Sequence, residues 1–155
     1  MISRADLKKM EKETEEFFKK MTFEVEINFL PQKDQTLPVN LKTEEPQILI
    51  GEGGETLLEI QHLLKTILRK KIEGEERFYL DLDINDYKKK KTAYLKEMAK
   101  ESAEEVVLTK KEKILPPMSA YERRIIHMEL ADNPNIVTES IGEEPERSVA
   151  IRPNP

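Results

Sequence analysis

Arg123 and His127 stand four residues apart in Pro116-Pro117-Met118-Ser119-Ala120-Tyr121-Glu122-Arg123-Arg124-Ile125-Ile126-His127-Met128-Glu129-Leu130. In a helix that spacing stacks a guanidinium and an imidazole on one face. Held side by side, the two can meet two oxygens of a phosphodiester backbone, with Arg124 and Arg147 as further cations. A neutral imidazole still donates one hydrogen bond. Tyr121 offers an aromatic face for a base, or a packing surface. The plainer alternative is a solvated helix face, and the spacing taken alone favours that alternative.

A second candidate is the turn Gly51-Glu52-Gly53-Gly54. It lies between the apolar run Ile48-Leu49-Ile50 and a helical pattern with Leu57, Ile60, Leu64, Ile67 and Leu68 on one side. A tight turn there leaves backbone N–H groups accessible at the second helix's N-terminus, where they and the helix dipole attract phosphate. Glu52 and Glu55 oppose that attraction. Lys65, Arg69, Lys70 and Lys71 follow, either as phosphate contacts or as cations suited to a helix C-terminus. Lys88-Lys89-Lys90-Lys91 forms a third basic cluster, set against the dipole at a helix start. It reads equally as a nucleic-acid contact and as a solvated face balanced by Glu97, Glu101, Glu104 and Glu105.

Asp81-Leu82-Asp83-Ile84-Asn85-Asp86 begins like a calcium loop, but Asp86 stands where Gly is needed and Thr92 where Glu is needed. Calcium is rejected. The sequence has no Cys and two His, His62 and His127, which excludes disulfides, thiolate catalysis and Cys-based or His-rich metal sites. No acid is paired with a nucleophile or an organised base, so a binder without cofactor is expected rather than an enzyme.

These residues need elements to hold them. Ser3 and Asp6 mark a helix start, followed by Leu7, Met10, Thr14, Phe17, Phe18 and Met21 at helical steps. From Thr22 the period becomes two, and Phe23, Val25, Ile27 and Phe29 predict a half-buried strand. Leu37, Val39 and Leu41 predict a second, with Pro38 requiring an edge or a strand start. Thr43-Glu44-Glu45-Pro46 opens a short helix into the Gly-rich turn. Gly74 breaks the chain before a strand with Phe78, Leu80, Leu82 and Ile84 on one face. A long helix then runs over residues 86–109, with Tyr87, Tyr94, Leu95, Met98, Ser102 and Val106 as its apolar stripe. Lys113-Ile114-Leu115 is a short strand. Ser119 and Glu122 form a capping box for the Arg123/His127 helix. Ile136–Ser140 and Arg147–Ile151 predict a hairpin.

At 155 residues the chain holds one ordinary domain or two small ones. Its net charge of −5 is unevenly spread: residues 1–84 hold 13 Lys/Arg against 18 Asp/Glu, and residues 85–155 hold 13 of each. Any phosphate-binding surface is therefore local. No apolar run approaches a membrane span and no signal pattern opens the chain, so a cytoplasmic protein without direct membrane insertion is expected.

The order helix, strand, strand, short helix, Gly-rich turn, helix, strand is similar to the type II KH fold, and Ile50–Leu57 resembles its signature turn. Pro-Met-x-x-Tyr-Glu-Arg-Arg-Ile-Ile-His and the later Thr138-Glu139-Ser140-x-Gly142-x-x-Pro145-x-Arg147-x-Val149-x-Ile151-Arg152-Pro153 resemble the Arg-xxx-His (RxxxH) domain of the Jag (SpoIIIJ-associated) family of bacterial RNA-binding proteins. The resemblance implies an α+β chain with a type II KH domain (αββααβ) over 1–84. An Arg-xxx-His domain (α-β-α-β-β) over 85–155 follows, joined by the 86–109 helix.

It further implies binding of single-stranded RNA, with single-stranded DNA as an alternative. Gly51, Glu52, Gly53, Gly54, Lys88, Lys89, Lys90, Lys91, Arg123, Arg124, His127 and Arg147 would form the interface. A role in post-transcriptional control linked to cell elongation and division is implied as well, with self-association or pairing with a small KH-only protein. Many members carry a further N-terminal domain, whereas the KH-like order begins here almost at Met1. The family usually places Lys or Arg between the two glycines, where this chain has Glu52 and Gly53. The Arg123/His127 helix is therefore expected to make the main phosphate contact. The alternative is an interaction scaffold whose KH half binds a partner protein and RNA weakly.

Overall fold

The three- and four-residue apolar spacing at the N-terminus becomes helix α1 (Arg4–Lys20), which Ser3 caps by accepting from the Asp6 N–H at 3.1 Å. Met10, Thr14 and Phe18 face inward, and Thr14 satisfies its buried hydroxyl by donating to the Met10 carbonyl. The computed structural model describes residues 1–72 and 77–155, so the break expected at Gly74 lies outside the described residues. The chain forms two compact units, Met1–Lys88 and Lys89–Pro155.

In the first unit α1 is followed by β1 (Glu26–Phe29), β2 (Thr36–Lys42), α2 (Pro46–Ile50), a single 3-10 turn (Glu52–Gly54), α3 (Glu55–Lys71) and β3 (Tyr79–Ile84). The strand predicted from Phe23 begins at Glu26. Thr22 leaves α1 at φ 63°, and the Phe23 N–H still bonds the Phe18 carbonyl, which delays entry into the sheet. The sheet order is β1-β2-β3, with β1 antiparallel and β3 parallel to β2. Leu37, Val39 and Leu41 stand beside Leu80, Leu82 and Ile84 in register, and all six are buried with Phe18, Leu57, Leu64 and Leu68. Parallel pairing needs a long crossover, and α2 and α3 supply it.

Pro38 overturns one expectation. It lies inside the central strand, not at an edge or a start. Its carbonyl accepts from the Leu30 N–H at 2.9 Å, so its nitrogen faces the same side, just past the end of β1. The missing N–H costs only the return bond to Leu30 at the last pair beside β1, and β3 pairs on the other side without loss.

Helix α4 (Tyr87–Thr109) begins in the first unit and continues in the second, followed by β4 (Lys113–Ile114), α5 (Ala120–Leu130), β5 (Ile136–Ile141) and β6 (Ser148–Pro153). The first unit runs past the expected end at Ile84 because Tyr87 packs on its core and Lys88 bonds Gln61 and Asp81. The second sheet is antiparallel in the order β4-β6-β5. Leu95, Ala99, Ala103 and Val106 of α4 pack with Ile126, Leu130, Val149 and Ile151. Tyr94, expected in the α4 stripe, is exposed, and Ala99 and Ala103 occupy the buried face instead. Small side chains there admit close packing of neighbouring elements.

Candidate nucleic-acid interface

In the first unit the glycine turn is set by geometry that side chains resist. Gly51 has φ 72° and ψ 179°, and a Cβ there would lie 2.1 Å from the Thr56 hydroxyl. The third glycine of the turn, Gly54, is buried, and a Cβ on it would press on the Tyr87 ring at 3.1 Å. The expected row of open amides is shorter than predicted. Gly54 donates to the Gly51 carbonyl at 3.3 Å, and Glu55 donates to the Glu52 carbonyl. The 3-10 turn satisfies both donors internally, and leaves Glu52 and Gly53 as its exposed tip.

Two helical turns on, α3 reaches the free edge of β3. The Gln61 side-chain oxygen accepts from the Leu82 N–H at 3.1 Å and from Lys88 Nζ at 2.7 Å, while Lys88 also pairs with Asp81 at 2.9 Å. Lys65 Nζ lies 5.1 Å from the centre of the exposed Tyr79 ring. Sequence reasoning singled out Lys65 but missed Gln61 and Tyr79. Alternation along β3 marks Tyr79 as outward-facing, yet nothing local shows that α3 would run beside it. Asp83 Oδ1 accepts from the Ile84 and Lys88 N–H groups, both at 2.9 Å.

The four consecutive lysines do not act as one patch, because neighbours on a helix are turned about 100° apart. Lys88 is tied to Asp81 and Gln61. Lys91 lies 3.8 Å from Glu122 and 5.8 Å from the Tyr94 ring centre. Lys89 and Lys90 are exposed and form no ion pair among the described residues.

In the second unit the capping box is present: Ser119 accepts from the Glu122 N–H at 3.3 Å, and Glu122 accepts from the Ser119 N–H at 3.0 Å. Arg123 and His127 do share a face of α5, but that face turns toward the hairpin rather than to open solvent. The Arg123 guanidinium donates to the Met118 carbonyl at 2.8 Å and to Glu144 at 2.9 Å. His127 bonds the Thr138 hydroxyl through Nδ1 at 2.7 Å and the Ser140 hydroxyl through Nε2 at 2.8 Å. A neutral ring donates to one hydroxyl and accepts from the other. Burial first, and the nearby Arg123 charge second, push its pKa below the ordinary value.

Both side chains therefore already have partners inside the unit. Thr138 and Ser140 sit two apart on β5, a spacing legible in the sequence, whereas Glu144 approaches from a turn and leaves no periodic signal.

Arg124 is exposed and forms no ion pair among the described residues. Arg147 is half-buried and donates to the Gly142 carbonyl at 2.7 Å. Its own carbonyl accepts from the Met118 N–H at 3.1 Å, so Arg123, Met118 and Arg147 are linked through one short segment. Tyr121 is exposed on α5. Among the described residues no group of three or more His, Asp or Glu is placed to hold a metal, and no helix is long and apolar enough to cross a membrane.

The Arg-xxx-His (R-3-H) domain family matches residues 93–153, which fall in the second unit and include Arg123, Arg124, His127 and Arg147. The chain is similar to the RNA-binding protein KhpB of Clostridium symbiosum, with 36% identity over 138 residues, covering 88% of this chain and 61% of that protein. It is 35% identical over 113 residues to the protein of that name from Lactiplantibacillus plantarum, covering 73% of this chain and 34% of the relative. For the one from Bacillus subtilis the values are 31% over 122 residues, 77% and 58%. The chain therefore spans about three fifths or less of the length of these relatives.

Proposed function

We propose that this chain binds single-stranded RNA, as a type II KH unit followed by an Arg-xxx-His unit of the Jag/KhpB kind. The observation that carries the reading is the family match over 93–153, coincident with a unit that presents Arg124, Arg147 and Tyr121 around the Arg123/His127 helix. The helix–strand–strand–helix–helix–strand order of residues 4–84 and its Gly51–Gly54 turn support the KH assignment. On this reading Arg124 meets phosphate directly, Arg123 meets it once released from Glu144, and His127 holds α5 on β5. Gly53 at the exposed tip, Tyr79 and Lys65 form the accessory surface of the first unit. The chain acts by binding rather than by catalysis, in the cytoplasm. Its role is in post-transcriptional control linked to cell elongation and division, as a self-associating protein or with a small KH-only partner.

A second reading has support in the first unit. A cleft of about 980 Å³ is lined by Glu24, Glu26, Glu44, Glu45 and Asp86 with Lys42. That surface repels polyanions and suits a basic protein partner.

Fluorescence anisotropy with a short single-stranded RNA, and its DNA counterpart, across a salt series tests the leading reading. Each phosphate neutralised contributes about −0.7 to the log–log slope. Arg124→Ala is expected to reduce the slope by about that amount without changing thermal stability. Undetectable binding of the unmodified chain at low salt refutes RNA binding and leaves the scaffold reading.

A further inference from the structure

The Arg123 side chain is 9% exposed, whereas its acidic partner Glu144 is 59% exposed. Glu144 belongs to the hairpin turn between β5 and β6, which also carries the exposed Glu143 and Glu146. The turn is closed by the Glu146 N–H donating to the Glu143 carbonyl at 2.8 Å and by Arg147 donating to the Gly142 carbonyl. Nothing in the RNA-binding reading requires an acid on Arg123. A carboxylate and a phosphate, however, present a guanidinium with the same kind of acceptor oxygens.

We propose that Glu144 is a built-in phosphate surrogate: its carboxylate holds Arg123 in the free chain and is exchanged for a backbone phosphate when single-stranded nucleic acid binds. This rests on the second unit being the RNA interface. Two observations favour exchange over a permanent strut. Glu144 is largely in water, so it can swing out without leaving a buried charge of its own. Arg123 keeps its bond to the Met118 carbonyl, so the guanidinium remains aimed after the carboxylate departs. Arg123 itself is nearly buried and would be left uncompensated if the carboxylate departed alone, so the exchange requires the phosphate to take its place as it leaves. The competitor also screens Arg123 from isolated small anions, because one phosphate gains nothing over the carboxylate already present. A strand that engages Arg124 and Arg147 as well brings its phosphate at high effective concentration.

The test is an anisotropy titration of a labelled single-stranded RNA with the full chain, E144Q, E143Q, R123A and R123A/E144Q. E144Q and E143Q remove one charge from the same turn, but Glu144 is the one that pairs with Arg123. E144Q is expected to tighten binding at least about twofold, because phosphate no longer has to displace a charged carboxylate from Arg123. E143Q should give a visibly smaller gain, and the E144Q gain should vanish in R123A. Equal gains from E144Q and E143Q reduce the effect to overall charge and overturn the proposal. Weaker binding by E144Q makes Glu144 a positioning residue and overturns it too, as does a gain that survives in R123A. The E144Q–E143Q comparison stands even if R123A does not fold. If the unmodified chain binds and E144Q equals it, the surrogate fails alone; if no variant binds, the RNA reading fails with it.

Discussion

Replacing Gly51 by Ala should cost the first unit far more than the same change at Gly53, although both glycines lie in one turn. Gly51 combines φ 72° with ψ 179°, a region nearly closed to residues with a Cβ, worth about 1–3 kcal/mol of strain. The new methyl would also lie 2.1 Å from Thr56 Oγ1 and 2.8 Å from Thr56 Cβ. Thr56 is β-branched and sits in the first turn of α3, so it yields poorly, and overpacking adds about 1–3 kcal/mol. A total of about 2–6 kcal/mol follows, against the roughly 5–15 kcal/mol that holds a typical domain. Gly53, with φ 61° and ψ 14° and nothing within 4 Å of a Cβ, should lose only about 1–2 kcal/mol.

Native-state hydrogen exchange is the suitable assay, because it reads each unit separately. Val39 and Leu41 amides in β2 should exchange much faster in Gly51→Ala, while Val149 and Ile151 in β6 should not change. Adding Thr56→Ala should bring little rescue, since the 2.8 Å approach to Cβ persists. Similar exchange in the two glycine variants refutes the steric account, and full rescue by Thr56→Ala would leave no share of the loss to backbone strain at Gly51.

Glu52→Lys should tighten single-stranded RNA binding and steepen the salt slope by about 0.7 for each phosphate engaged; unchanged affinity would mean that the turn does not meet phosphate. His127 has a folded-state pKa below 6.5, from burial and then from Arg123. The unfolded chain therefore takes up this proton first as pH falls, and the stability present above about 6.5 is lost toward the lower folded value. Melting temperatures of the parent should fall more than those of His127→Gln as pH drops below about 6.5, and identical profiles would refute that role. Ser119→Ala removes the capping box and should cost about 1 kcal/mol, read by chemical denaturation followed by far-ultraviolet circular dichroism; no loss would show that Glu122 alone holds the helix start.

Much of the architecture was legible because periodicity reports burial. The period-two runs located β2 and β3, and the 3.6 period located α1 and α3, since one buried face imposes each pattern. Local chemistry located the α5 start, where Ser119 and Glu122 satisfy each other's backbone amides. Long-range facts were less accessible. Whether Pro38 was tolerable in a central strand depended on where β1 stops, a property of another segment. Tyr94 was misplaced because its ring is apolar enough to fit a buried stripe, while the packing of α4 selected the smaller Ala99 and Ala103. The spacing of Arg123 and His127 placed them on one face but could not say which way that face turns. That depended on Thr138, Ser140 and Glu144, eleven to twenty-one residues away.

In both units a cation expected to face a ligand is already held by an acid: Lys88 by Asp81, and Arg123 by Glu144. This gives the net charge of −5 a local meaning. The acids are more than a diffuse repulsive background, since two of them hold cations that the proposed reading assigns to a polyanion. A ligand offering one phosphate must displace a carboxylate already in place and gains little. On that reading a strand offering several phosphates offsets each displacement at further cations, and Arg124, Lys89 and Lys90 form no ion pair among the described residues. On the proposed RNA-binding reading, selection for a polymer over small anions follows from the ion pairs themselves, and requires no base-specific contact. Inorganic phosphate or a mononucleotide should accordingly compete poorly with single-stranded RNA even at millimolar concentration, and efficient competition would show that the cations are free in solution.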